Sequence, residues 1–426
     1  MVTKEDFIFS GTELTSTALD KFMKKHDELI VRYDELKKQY ISKPPILDEA
    51  PKDSWKPDNR LVANYSKYII DTFTGYCFGI PVKVKHKNEN IEKKITDFWK
   101  LNKMDDLLPE AAKQASLYGK AYGLIWQDKE ARTRFSLVSP YSMFFIYGDD
   151  IERTPKFAVY LDYGKDVTGT ILSNTYSQEF IKVGDEIVIS EPLEHFYRSL
   201  PAVEFIENSE AGSLIDPVET LINAYNKAIS EKANDTDYFA DAYMAVIGAR
   251  IKDSEIDIRD SRIINIYKED ASSLAGFDVK FLEKPDGDTT QENLLDRLED
   301  LIFKLAMVAN ISDESYGNAS GTALEFKLQP MKNLALMKHR KFESALDRLF
   351  EIFFGLPTNI ASSFKDEYIN IEYKFTLNMP RNLSDEADTA AKLEGIVSKE
   401  TQLSTLSIVT NPKEEMDKMN EDVELY

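Results

Sequence analysis

From Pro217 to Ile247 the chain runs about 31 residues, or ~46 Å of α-helix at 1.5 Å per residue, with no glycine and no second proline to interrupt it. The start carries helix N-terminal signals: Asp216 as cap, Pro217 at the first helical position and Glu219 three residues after the cap. Val218, Leu221, Ile222 and Tyr225 form an apolar stripe along its first half, and Tyr238, Phe239, Ala242 and Tyr243 restore one at the far end. The middle, 230–237, is almost wholly polar. Such a helix crosses solvent or a polar cavity there, or breaks. A second helix is expected from Asp288, with Gln291 completing a cap pair and Leu294, Leu295, Leu298, Leu301, Ile302, Leu305 and Val308 on one face. Between the two helices, 249–286 reads as a small insertion with strand-like pieces at 262–267 and 277–282.

The remaining segments surround this pair. Leu19, Phe22, Met23, Leu29, Ile30, Tyr33 and Leu36 follow the helical period, as do Leu61, Tyr65, Tyr68, Ile69, Phe73 and Tyr76, which stop at Gly79 and Pro81. A short strand at 82–84 and helices at 91–101 and 104–118 follow. From 122 to 208, runs of strand composition alternate with turn residues at Asp128, Gly148, Gly164 and Gly184, which indicates an antiparallel meander. A polar loop at 312–321 precedes a helix from Thr322 to about Phe354. Pro330 should kink that helix, because it lacks an N–H and clashes one turn back. A strand at 368–377 and helices at 387–397 and 403–409 complete an α+β chain.

Chemistry-bearing patterns are scarce. Phosphate-loop, dinucleotide, zinc-protease and serine-hydrolase motifs are absent. Cys77 is alone and His26, His86, His195 and His339 are scattered, so neither a disulfide nor structural zinc is expected. Asp105-Asp106 and Asp149-Asp150 are the adjacent carboxylates a metal-dependent nuclease would use, but the second pair reads as a turn. His195 has no partner placed by spacing. No catalytic, cofactor-binding or metal residue is assigned.

The 426 residues carry 53 basic against 74 acidic side chains, a net charge of −21. Tight DNA binding uses Lys and Arg against phosphates, so this chain repels a polyanion on average, or is simply kept soluble by its charge. No stretch is long and apolar enough to span a bilayer, and the N-terminus lacks a signal-peptide pattern, so a cytosolic protein without membrane partners is expected. A helix pair carrying a small module makes a stalk, and side-by-side packing in a closed ring would cover its faces. A monomer with the pair packed on its own core fits the layout equally.

Three groups of residues carry a resemblance: Asn59–Asn64 with the helix to Gly79-Ile-Pro81; Leu221–Lys227 with Ser230, Asn234, Asp235 and Phe239; and Tyr316–Gly321 with Ala323 and Leu324. In this order and spacing, from about Asn59 to the tail, the sequence resembles portal proteins of tailed bacteriophages, the head–tail connectors of siphophages of Gram-positive hosts. The resemblance implies a portal-like fold: an α/β wing (1–215, N-terminal part; 322–380, long kinked helix and C-terminal part), stem helices at 216–247 and 288–311, a small α/β clip at 248–287, a tunnel loop at 312–321 and a short helical crown at 381–426. It implies a dodecamer, sometimes thirteen subunits when expressed alone, at one capsid vertex of the virion, assembled in the host cytoplasm. The implied function is the channel for viral genome packaging and DNA ejection. The implied partners are double-stranded DNA in transit without sequence specificity, the terminase large subunit, a head–tail adaptor and capsid or scaffold proteins. Asp313, Glu314, Ser315, Tyr316, Gly317, Asn318 and Gly321 would line the channel, and Glu231, Asp235 and Asp237 are the stem residues expected to face it. Competing readings are another head-assembly or minor capsid protein, which forms no closed ring, and a metal-dependent nuclease.

Overall fold

The computed structural model describes residues 3–53, 56–240, 244–247, 263–266, 278–281, 288–311, 321–379, 383–406, 408–409 and 412–424. In chain order its helices are α1 (Ser16–Tyr40), α2 (Tyr65–Phe78), α3 (Glu89–Leu101), α4 (Met104–Tyr118), α5 (Glu219–Ala240), α6 (Asp288–Ala306), α7 (Gly321–Gly355), α8 (Leu383–Lys392), α9 (Lys399–Ser404) and α10 (Pro412–Glu424). The strands are β1 (Lys83–Lys85), β2 (Lys120–Gln127), β3 (Thr133–Val138), β4 (Met143–Tyr147), β5 (Pro155–Tyr163), β6 (Val167–Leu172), β7 (Tyr176–Val183), β8 (Glu186–Ile189), β9 (Leu193–Glu194), β10 (Ala202–Ile206), β11 (Met244–Ile247), β12 (Ile263–Ile266), β13 (Asp278–Phe281) and β14 (Glu372–Lys374).

Local chemistry sets the ends of the first four helices. The Thr15 hydroxyl accepts the Ala18 amide at 3.3 Å, and the Asn64 and Asn88 side chains accept the amides of Lys67 at 2.9 Å and Asn90 at 3.0 Å. Helix α4 ends on Gly119, whose φ of 84° is the left-handed C-terminal conformation. A Cβ there would lie 1.9 Å from the Ala211 carbonyl oxygen, so the position admits only glycine.

Two apolar cores result. In one, α1 covers the meander β4-β5-β6-β7-β8, burying Leu19, Phe22, Phe144, Phe157 and Phe180. In the other, α2, α3, α4 and α7 pack with the sheet β10-β2-β3 around Phe73, Phe98, Phe205, Phe342 and Phe350. Each fully buried Phe contributes about 1.5–3 kcal/mol. The strand region therefore divides into two sheets rather than one meander, because β10 returns to pair antiparallel with β2. The expected turns at Asp128, Gly148, Gly164 and Gly184 all fall between strands.

Several expectations are corrected. The Asp216 cap does not form: its carboxylate accepts the Ser213 amide at 2.8 Å, and α5 begins three residues later. Residues 244–247 are strand rather than helix, with β11 parallel to β12 and antiparallel to β13. Helix α6 stops at Ala306, and Met307 takes a φ of 56°. The alternating run at 368–377 shrinks to the three-residue strand β14, paired with β1. The tail helices shift to α8 and α9, and α10 is an addition.

Candidate functional site

Helices α5 and α6 form a pair whose base belongs to the second core. Ile222 and Tyr225 of α5 and Val218 just before it, with Leu295, Ile302, Phe303 and Ala306 of α6, are buried there. Tyr65 meets Tyr225 and Phe303 edge-on, at ring-centroid distances of 5.0 Å and 5.4 Å. Further along, the Gln291 amide donates to Asp235 Oδ2 at 2.9 Å, and Lys232 pairs with Glu292. Gln291 thus bridges to α5 instead of capping its own helix.

The segment 56–64 lies along α5 as a strap. Asn226 Oδ1 accepts the amide of Ala63 at 2.8 Å, Ser230 Oγ that of Leu61 at 2.9 Å, and Asn234 Oδ1 that of Asn59 at 2.6 Å. Alternate amides of an extended chain recur every ~6.6 Å. Side chains four apart on a helix recur every ~6.0 Å. The two periods match closely enough for three bonds in a row, with the strap antiparallel to the helix. The acceptors are only 1 %, 2 % and 5 % exposed, and each would cost free energy if left unpaired. Outside this ladder, Asn59 Nδ2 donates to Asp237 at 2.5 Å, and the Lys52 ammonium reaches Glu231 at 2.8 Å, which holds that carboxyl below its ordinary range.

Of the expected outcomes for the polar centre of α5, crossing solvent or a polar cavity or breaking, the helix does not break, and part of its polarity is taken up by this ladder. Ser230 and Asn234 face the backbone of the strap, while Glu231 and Asp237 are exposed at its rim. Of the three carboxylates singled out in the sequence, Glu231 is held by Lys52, Asp235 by Gln291 and Asp237 by Asn59. The first two resemblance groups are thereby brought together: residues near 59–64 are bonded to residues near 226–234. Nothing local in the sequence links the two groups. The i, i+4, i+8 spacing of short polar side chains on one helix was the available signal.

Residues 312–320 lie outside the described residues, and with them Asp313, Glu314, Ser315, Tyr316, Gly317 and Asn318. Gly321 is the first residue of α7, and the helix runs on through Pro330. An open groove of about 580 Å³ separates α6 from the start of α7, lined by Asp296, Asp300, Phe303, Met307, Lys327 and Pro330. Deeper along α7, Lys338 is 1 % exposed and reaches Glu207 Oε2 at 2.6 Å, Ser116 Oγ at 2.6 Å and the Ala112 carbonyl at 2.9 Å. Neither partner of this buried pair was anticipated.

Three of the residues weighed for chemistry make local structural bonds. Asp150 accepts the Thr154 amide and hydroxyl, both at 3.1 Å, as a turn residue. Asp105 accepts the Trp99 indole N–H at 2.7 Å, and His195 Nε2 donates to the Ser173 carbonyl at 3.1 Å. Among the described residues no three His, Cys, Asp or Glu side chains converge as metal ligands, and no helix is long and apolar enough to cross a membrane.

Comparison with known proteins places this architecture. The family model described as phage portal protein, SPP1 Gp6-like, matches residues 19–424. The portal protein of Bacillus phage SPP1 is 24% identical over 408 residues, covering 88% of this chain and 78% of that protein. The portal protein of Clostridium phage phiCD119 is 22% identical over 372 residues, covering 80% and 79%. Among solved structures, a chain from the neck of a native gene transfer agent particle aligns over 88% of this chain and 93% of its own, at 13% identity and a TM-score of 0.46. One from the neck of an empty particle gives 14% identity and 0.47, over 80% and 89%. With the strap, the α5–α6 pair, the long helix and the tail all inside one continuous family match, the chain belongs to the SPP1 Gp6-like family of phage portal proteins.

Proposed function

We propose that the protein forms a closed ring of about twelve subunits, the usual number implied by its family resemblance, at one vertex of a phage capsid. Through this ring the genome enters during packaging and leaves at ejection. The observation that carries the reading is the unbroken family match from residue 19 to 424. The wing is the two-core body, the stem is the α5–α6 pair, and the clip is the sheet β12-β11-β13, which begins by residue 244 instead of 248. The clip would dock the terminase large subunit and later the head–tail adaptor. The tail helices would form the crown, facing capsid and scaffold proteins, and assembly would take place in the host cytoplasm.

The net charge of −21 supports a conduit that double-stranded DNA slides through without sequence-specific contacts. Asp313 and Glu314 on the loop 312–321 are its proposed acidic lining, with Glu231, Asp235 and Asp237 of α5 as further candidates. Pro330 would give α7 the bend that carries the loop into the channel. No catalytic role is proposed. Negative-stain microscopy of the purified full chain tests the reading: top views should show rings with a central hole, and a field of separate compact particles would overturn it.

A further inference from the structure

Two apolar helix faces are left uncovered by the subunit. On α6, Leu294 and Leu305 are 50 % and 51 % exposed; with Leu298, which is half-buried against the second core, and the half-buried Leu301, they repeat at 4-3-4 spacing, which places all four on one stripe. Gln291 lies on the same face, three and seven residues before Leu294 and Leu298. Because Gln291 bonds Asp235, the leucine stripe borders α5 on the side that carries Glu231 and Asp235. On α7, Phe326 and Met337 are 76 % and 60 % exposed, and eleven residues, close to three turns, put them on one face.

The charges of these faces are opposite in sign. Helices α5 and α6 together hold nine carboxylates against four cations. The first 21 residues of α7, 321–341, hold one carboxylate, Glu325, against five cations. One of the five, Lys338, is committed internally to Glu207. Arg340 and Lys341, on either side of Met337 around the helix, make no ion pair with a described residue. In a chain of net charge −21 this is a local reversal, on a long helix that also exposes large apolar side chains. Neither face suits a copy of itself, since like charges would be set opposite one another; each suits the other.

We propose that the exposed face of α7, centred on Phe326, Met337 and Arg340, docks over the seam of α5 and α6 in a neighbouring copy, against Leu294, Leu305 and Asp235. The assignment rests on the ring reading above and names the surface that closes the ring. Each subunit presents one patch of each kind, so the contact is head-to-tail, the type that generates rings. The leucines, Phe326 and Met337 supply apolar burial, and the charges set register and speed encounter. Glu231 and Asp235 then lie at the subunit boundary, and Asp237 is the α5 carboxylate left for the channel.

The test uses the full chain and two double variants: Met337→Glu with Arg340→Glu on α7, and Leu294→Lys with Leu305→Lys on α6. These side chains are exposed, so each variant should melt at the wild-type temperature. Each alone should form no rings, with the assembly midpoint raised more than about tenfold, as like-charge juxtaposition at an interface requires. Mixed in equal amounts, the two should give dimers that stop at two subunits, because each pair joins one intact face of each kind and leaves two disabled ones. Variant rings indistinguishable from wild type, or a mixture without dimers, would overturn the assignment while the ring reading stands. A wild-type chain that forms no rings would overturn both. As a readout independent of variant folding, Met337→Cys combined with Leu294→Cys or with Leu305→Cys should give a ladder of disulfide-linked subunits, since the lone native Cys77 is buried. Absence of any ladder in both combinations would also overturn it.

Discussion

Lys338 Nζ lies 2.6 Å from Glu207 Oε2, with side-chain exposures of 1 % and 3 %. The pair joins the middle of the longest helix to the end of β10, and Ser116 and the Ala112 carbonyl tie both to α4. Phe73 and Phe342 lie beneath the ammonium, at 5.2 Å and 5.7 Å from their ring centroids. Breaking such a pair leaves an uncompensated charge in a dry core. Lys338→Met should therefore destabilise the body by about 3–5 kcal/mol. Adding Glu207→Leu should recover much of that loss, because two matched apolar side chains leave no charge behind. Urea unfolding of the two variants and the parent chain measures both effects.

The strap ladder can be tested amide by amide. Asn226→Ala removes the acceptor of the Ala63 N–H, and Asn234→Ala that of Asn59. Each should cost about 1–2 kcal/mol, the typical penalty of an orphaned polar group. Hydrogen exchange should quicken at residues 59–63 and remain unchanged in the meander.

His26 makes the acid limb of stability predictable. Burial, against a smaller opposing pull from its hydrogen bond to the Tyr141 carbonyl at 3.0 Å, lowers its pKa from 6.5 to about 4. The unfolded chain thus takes up this proton more readily than the folded one. The contribution of the neutral ring is present above pH 6.5 and is lost as the pH falls toward 4, about 3 kcal/mol in all. His26→Gln should flatten the urea midpoint between pH 6.5 and 4 relative to the parent chain.

Gly119 fixes the passage from α4 into β2. With φ at 84° and the Ala211 carbonyl oxygen 1.9 Å from any added Cβ, Gly119→Ala should destabilise the body by ~2 kcal/mol or more, read as a lower thermal midpoint. Gly184, at φ 61° with open space around it, should tolerate alanine with a smaller loss.

Particular residues show how far the sequence could be read. Helices α1 to α4 were legible from their apolar stripes, which are local, although Leu61, expected in the second helix, lies on the strap because α2 begins only after the Asn64 cap. The start of α5 was misread because Asp216 looks like a cap, yet bonds Ser213 and pairs with Arg32 at 2.9 Å, 184 residues earlier in the chain. The end of α5 was misread because no Gly or Pro marks it. Pairing of 244–247 with strands 19 and 34 residues downstream decides that stretch, and such pairing leaves no local trace. The polar run 230–237 was visible, but its meaning depended on the strap, 169 residues away at Ser230 and Leu61. The family was legible from the order of short motifs, whereas the ladder joining two of them was not.

Native mass spectrometry of the purified full chain tests the central claim most directly. The account predicts one dominant species at twelve or thirteen times the 48.8 kDa subunit. A single 48.8 kDa species at every concentration and salt condition would contradict it.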